Sequence, residues 1–194
     1  YYTRGIFPWG NECYLRSDMY HQYAPFFSEL WHKIRNGESL TYSWNIGMGT
    51  NFTSLFAYYL ASPSNWFVAL FPQKYTIEIM NAFIILKIAG SSLSLTYYLT
   101  KHNNNKHVIA AIFGMFYGMS GFIAAYSWNI MWLDCVILIP LIMLGLERLV
   151  NENRCIFYCI TLGLCIFTNS YIAIMVCLSV VIYYVVLMIA YNGI

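Results

Sequence analysis

Five apolar stretches, at 77–99, 108–126, 133–150, 155–168 and 171–191, follow one another with only short polar breaks. A helix needs about 20 mostly apolar residues to cross a bilayer. In hydrocarbon the backbone must satisfy its own hydrogen bonds, so unbroken apolar runs of this length read as helices rather than strands. The whole chain agrees: 60% of its 194 residues are hydrophobic and 9% are charged, too apolar for a soluble domain of this size. The expected fold class is therefore all-α, a polytopic membrane helical bundle. The fourth stretch is the weakest, because 14 residues rise only about 21 Å. It is either tilted into a thinned region or continues as helix through Asn169.

Charge placement orients the bundle. Lys101 and Lys106 flank one connection and Arg148 and Arg154 another, whereas the connections around Trp128 and at Asn169-Ser170 carry no basic residue. By the positive-inside rule the basic connections are cytoplasmic, which puts residues 1–75 outside. Trp128 and Trp132 suit an interfacial aromatic belt. A net charge of +2, with no basic block, excludes a nucleic-acid partner. Cys135, Cys155, Cys159, Cys165 and Cys177 lie in or beside apolar runs as small hydrophobes, Cys13 stands alone, and no metal or disulfide framework is expected.

Two domains are expected, an extracytoplasmic loop with interfacial helices at 1–75 and a transmembrane bundle at 76–194. Within the first, Pro25 opens a helix, Phe27, Leu30, Trp31 and Ile34 recur at helical spacing, Glu29 and Lys33 pair at i, i+4 on another face, and Asn36-Gly37 stops it. This reads as a short helix lying in the membrane surface. Gly47-Met48-Gly49 marks a turn, and 51–60 and 65–71, interrupted by Pro63, are too short to span and are expected to pack on the bundle. In the second membrane segment Ala110, Gly114 and Gly118 recur every fourth residue and predict a close helix approach. The chain opens on Tyr1-Tyr2 and stops just after an apolar run, which reads as a piece of something longer that lacks an N-terminal helix.

Candidate chemistry sits in two places. In the outer segment Asp18 and Gln22 are one helical turn apart with His21 beside them, enough for a general base, an orienting amide and an auxiliary donor, and equally enough for a surface hydrogen-bond cluster. Within the membrane, Lys87 lies too deep to snorkel, so it should face the bundle interior and meet an anion: Asp134, Glu78 or the phosphate of a lipid carrier. A buried ion pair and a functional cation both satisfy that condition. Asp134, at the start of its span, could equally cap the helix.

The run Asp18-Met19-Tyr20-His21-Gln22-Tyr23 resembles the bacterial YfhO family of polytopic membrane proteins. So do Trp44-Asn45-Ile46-Gly47-Met48-Gly49-Thr50-Asn51-Phe52 and Tyr58-Tyr59-Leu60-Ala61-Ser62-Pro63, then Trp132-Leu133-Asp134 with Pro140-Leu141, Gly145-Leu146-Glu147-Arg148 and Thr168-Asn169-Ser170-Tyr171, in that order along nearly the whole chain. The resemblance implies a GT-C type glycosyltransferase architecture in the bacterial plasma membrane, with an acidic residue in a long first outer loop. Such an enzyme takes a sugar from a polyprenyl-phosphate carrier and places it on a cell-envelope polymer, teichoic acid being the implied acceptor. Asp18 matches the loop acid. The first helix and the C-terminal half expected of the family are not represented.

These readings combine into a single displacement with inversion at the anomeric carbon. Asp18 takes the acceptor hydroxyl's proton, His21 and Gln22 assist, and Arg16 or Lys87, the latter near Asp134, offsets charge on the departing lipid phosphate. No cofactor is required beyond the polyprenyl-phosphate-linked sugar donor. A divalent metal on Asp18 stays open, Glu12 being the one other carboxylate close in sequence. Two other classes are weighed: a lipid or solute transporter, which an inverted repeat would favour and which shows none here, and a non-catalytic membrane scaffold.

Overall fold

The computed structural model describes residues 2–6, 9–15, 18–103 and 107–192. Helix α1, Ala24–Asn36, follows a π-helical turn at Met19–Tyr23. Two short antiparallel strands, β1 at Tyr42–Ser43 and β2 at Thr50–Asn51, lead into α2, Phe52–Leu55, a second π-turn at Phe56–Leu60 and a 3-10 stretch at Pro63–Leu70. The long helices are α3, Thr76–His102; α4, His107–Gly118; α5, Gly121–Tyr126; α6, Leu133–Glu152; α7, Ile156–Thr168; and α8, Ser170–Asn192.

Three helical stretches among the described residues are long and apolar enough to cross a membrane: Gln73–His102, Val108–Tyr126 and Ser170–Ala190. This differs from the five read from sequence, for two physical reasons. Helix α6 has 20 residues but carries Asp134, Glu147, Arg148 and Glu152, and α7 has only 13. Nor does α7 run on through Asn169. There the backbone turns extended (φ −160°, ψ 106°), and the Asn169 side chain accepts the Ile172 N–H at 3.0 Å to start α8. The same side chain, fully buried, donates to the Tyr58 carbonyl at 3.1 Å and so pins the α7/α8 turn to the outer segment.

Helix α1 begins with Pro25 in its first turn and ends at Gly37, whose φ of 66° is the left-handed cap that glycine adopts without a Cβ clash. Its apolar face is covered by protein rather than by the membrane surface. Phe27 and Leu30 join Phe52, Leu60 and Val68 of the outer segment and Met80 and Ile84 of α3 in one core. Apolar side chains from both sides therefore leave water together, each large one contributing roughly 1.5–3 kcal/mol. The Glu29/Lys33 face is also buried. Ser43 and Asn45 donate to Glu29 at 2.6 and 3.0 Å, and the Lys33 ammonium donates to the Ser39 and Tyr42 carbonyls at 3.0 and 2.9 Å. This pair ties the hairpin down onto α1, and Gly47 and Gly49, both at positive φ, close the hairpin loop.

The glycines of α4 do what their spacing predicts, with α3 as the partner. A Cβ on Gly114 would collide with the Thr96 hydroxyl, and one on Gly118 with the Ser92 hydroxyl. On α3 these hydroxyls fold back to carbonyls one turn earlier, Ser92 to Ile88 at 3.3 Å and Thr96 to Ser92 at 2.8 Å, so the contact leaves no polar group open to lipid. Pro140, inside α6, cannot donate to the Val136 carbonyl. That carbonyl is satisfied from outside, by the Tyr117 hydroxyl of α4 at 2.8 Å.

Candidate functional site

The N-terminal end of α3 is where the predicted site residues meet the fold. Asp18 stands exposed at the head of the Met19–Tyr23 turn. Tyr23 and Tyr59 lie beneath it, the Tyr23 hydroxyl donating to Asn129 Oδ1 at 2.8 Å and the rings 5.5 Å apart. Burial, and then the neighbouring Asp18 charge, raise the Tyr23 phenol well above its ordinary value, so it stays a donor. Burial likewise raises Tyr59. Gln22 Nε2 donates to the Tyr59 hydroxyl at 3.2 Å. Asp18 and Gln22 thus both act on this aromatic floor, Asp18 by its charge and Gln22 by a hydrogen bond. The floor residues themselves were not singled out from sequence, because tyrosines crowd this loop without any period.

His21 stands edge-on to Tyr20, ring centroids 5.3 Å apart, and lines a groove of about 520 Å³ with Ser28, Gln73 and Lys74. Arg16 lies outside the described residues.

Lys87 is buried, as its depth required. Its ammonium meets Asp134 Oδ2 at 2.7 Å, the Ile130 carbonyl at 3.2 Å and Ser62 Oγ at 3.4 Å. Of the three anionic partners considered from sequence, the structure selects Asp134. With three donors and three partners, the arrangement leaves no ammonium hydrogen for a phosphate. Asp134 makes no capping bond at the start of α6, which has no side-chain cap; its carboxylate turns to the lysine instead. Glu78, the other carboxylate considered for Lys87, lies at the outer start of α3.

Beside the His21 groove, across Lys74 and Ile77, is a second recess of about 430 Å³ lined by Glu12, Cys13, Glu78 and Asn81. Asn81 is 1% exposed and its Oδ1 accepts the Tyr14 N–H at 3.2 Å. Among the described residues its Nδ2 has no partner, and neither has the buried Oε2 of Glu78. Sequence reading passed over Asn81 because a single amide inside an apolar run carries no pattern. Among the described residues no three of His, Cys, Asp and Glu converge, so the donors in place do not fit a protein-held divalent ion.

Fold and composition together define a predominantly helical membrane protein with an N-terminal segment packed on the start of its first long helix. The chain belongs to the family described as bacterial membrane protein YfhO, which matches residues 1–193. No curated protein and no solved structure matches it.

Proposed function

We propose that this chain carries the outer loop and bundle helices of a GT-C type glycosyltransferase. On this reading the protein moves a sugar from a polyprenyl-phosphate carrier to a cell-envelope polymer such as teichoic acid, on the outer face of the bacterial plasma membrane. The observation that carries the proposal is Asp18: an exposed carboxylate over a buried tyrosine floor, in a segment whose core is continuous with α3. A base in that position meets an acceptor arriving from water while the donor stays in lipid.

In the proposed step the Asp18 carboxylate takes the acceptor hydroxyl's proton as the acceptor oxygen bonds to the anomeric carbon. The bond to the lipid phosphate breaks with inversion, and the phosphate leaves with the electron pair. Gln22, held by Tyr59, orients the acceptor side. Charge on the departing phosphate falls to Arg16 or to a cation at the groove, since the Lys87 ammonium is fully engaged. Lys87 and Asp134 then act as positioning residues that fix α3 against α6 beneath the site.

The test is Asp18→Asn in the full-length protein, which keeps shape and loses the base. Transfer from a polyprenyl-phosphate sugar should fall about 10²- to 10⁴-fold, with expression and donor binding retained. Transfer within a few-fold of wild type would make Asp18 a structural loop acid. Accumulation of a lipid-linked sugar on deletion of the gene separates this reading from a transporter.

A further inference from the structure

We infer that the recess between the end of α6 and the start of α7 is a site for the phosphate headgroup of an anionic phospholipid. It lies at the end of the bundle away from Asp18 and does not depend on the transferase reading.

Local structure brings two cations to one place. Asn153, at φ 56°, turns the chain out of α6, and the Arg154 N–H closes back on the Arg148 carbonyl at 3.3 Å. Both arginines therefore border one recess of about 510 Å³. Gly145 keeps this corner tight, because a Cβ there would come within 2.8 Å of the Tyr158 backbone of α7. The Arg148 guanidinium rests over the Phe157 ring, 5.2 Å from its centroid, and no ion pair holds it among the described residues. Arg154 meets Glu152 at 3.3 Å, but both side chains stand in the open, where such a pair is weak and exchangeable.

Among the described residues no carboxylate lines the recess, and Asn153 adds an amide. Two guanidiniums in an acid-free wall suit phosphate oxygens, which they can bind through paired N–H donors. Helix α7 also starts without a side-chain cap, so its first N–H groups add to the positive character.

The apolar half of the recess decides between a lipid and a free phosphate. Ile156 and Ile160 line it, and Leu164 and Phe167 continue the same exposed stripe along α7 at helical spacing. An acyl chain hanging from a bound headgroup would lie on that stripe. Helix α7 rises about 20 Å, about 10 Å less than the hydrocarbon core. Near its other end Trp132 and Tyr171 stack 6.2 Å apart as an interfacial pair. The recess therefore sits no further out than the lipid phosphates.

Cys155 supplies the readout, being a free, exposed thiol in the recess wall, and exposed Cys13 at the far end of the bundle is the reference. The full-length protein is placed in nanodiscs of dioleoylphosphatidylcholine, alone or mixed equally with dioleoylphosphatidylglycerol. Alkylation by N-ethylmaleimide is followed by peptide mass spectrometry, and retained lipid by native mass spectrometry. Phosphatidylglycerol should slow Cys155 relative to Cys13 and be retained in preference to phosphatidylcholine. Arg148→Gln and Arg154→Gln should each lower that preference about fivefold. Arg154 is exposed, so its variant keeps the test decisive if Arg148→Gln disturbs the contact with Phe157. Lys101→Gln, a cation at the same end but outside the recess wall, should change neither reading. Three results would each overturn the inference: no preference for phosphatidylglycerol, equal losses from Lys101→Gln and Arg154→Gln, which would mean diffuse surface charge, or equal protection of Cys155 by inorganic phosphate in phosphatidylcholine alone.

Discussion

Helix α3 treats carboxylates in opposite ways at its two ends. Near its C-terminus the Glu147 carboxylate of α6 accepts from Tyr98 at 2.7 Å and Tyr183 at 2.5 Å and meets His102 Nδ1 at 3.0 Å, so α3, α6 and α8 close around one acid. At its N-terminus Glu78 Oε2 and Asn81 Nδ2 are buried and, among the described residues, without a partner. Between them, Lys87 and Asp134 are paired and satisfied. One helix of one protein therefore shows what a structural polar cluster looks like when it is complete. The incomplete one is at the end that the N-terminal segment covers. Low local dielectric makes every unpaired group costly.

The comparison can be broken most forcefully at its midpoint. Lys87→Met leaves the Asp134 carboxylate without its cation and should cost about 3–5 kcal/mol. A thermal denaturation series in detergent checks this, and adding Asp134→Leu should recover most of the loss. A single variant as stable as wild type would mean that the pair carries no structural weight. Next in size, Glu147→Ala should cost about 3 kcal/mol, because Tyr98 and Tyr183 lose a charged acceptor inside the bundle. The matched change at the other end, Glu78→Ala, should leave stability unchanged or raise it by up to about 1 kcal/mol, since it removes a buried oxygen that has no partner among the described residues. Equal losses from the two substitutions would erase the distinction between the ends.

Smaller again is Tyr117→Phe, which takes the hydroxyl donor from the Val136 carbonyl at the Pro140 gap and should cost about 1 kcal/mol. Its effect should shrink when Pro140→Ala restores a backbone N–H, a non-additivity that a double-mutant cycle reads directly. The mildest test is by pH at the hairpin. Burial alone would raise the Glu29 carboxyl, but the bonds from Ser43 and Asn45 and the Lys33 charge overcome it and hold the group below its ordinary value. A lowered folded-state pKa gives stabilisation that is complete above the ordinary carboxylate range, about 4.3 for Glu, and is lost as pH falls through the lower folded value. Hydrogen exchange around Tyr42–Ser43 and Thr50–Asn51 should therefore quicken, relative to the intrinsic rate, only on the acid side of that range. Ser43→Ala should move the onset to higher pH.

What the sequence made legible follows from how locally each signal is written. Pro25 and Gly37 at the ends of α1 and the Gly114/Gly118 stripe each act within a turn or two and appear where they were read, whereas apolar length did so for three of the five stretches. The depth of Lys87 sufficed to require a buried anion, and Asp134 was among the candidates. Burial of the Glu29/Lys33 pair was not legible, since an i, i+4 ion pair usually marks a solvated face and only the hairpin, which folds back over it, changes that. The π-turn at Met19–Tyr23 was hidden for a similar reason: spacing predicts a face only once the helix type is known. Asn81 and Asn169 are single amides whose partners lie far away in the chain.

Pro140 has a consequence for how this protein is made. Emerging alone, α6 would bring an open Val136 carbonyl, a carboxylate at Asp134 and another at Glu147 towards hydrocarbon, with no partner for any of them on its own surface. All three are answered by side chains that are synthesised earlier, Lys87, Tyr98, His102 and Tyr117 on α3 and α4. Helices α3 and α4 therefore supply most of what α6 needs before it can enter hydrocarbon, and α8 adds Tyr183 last.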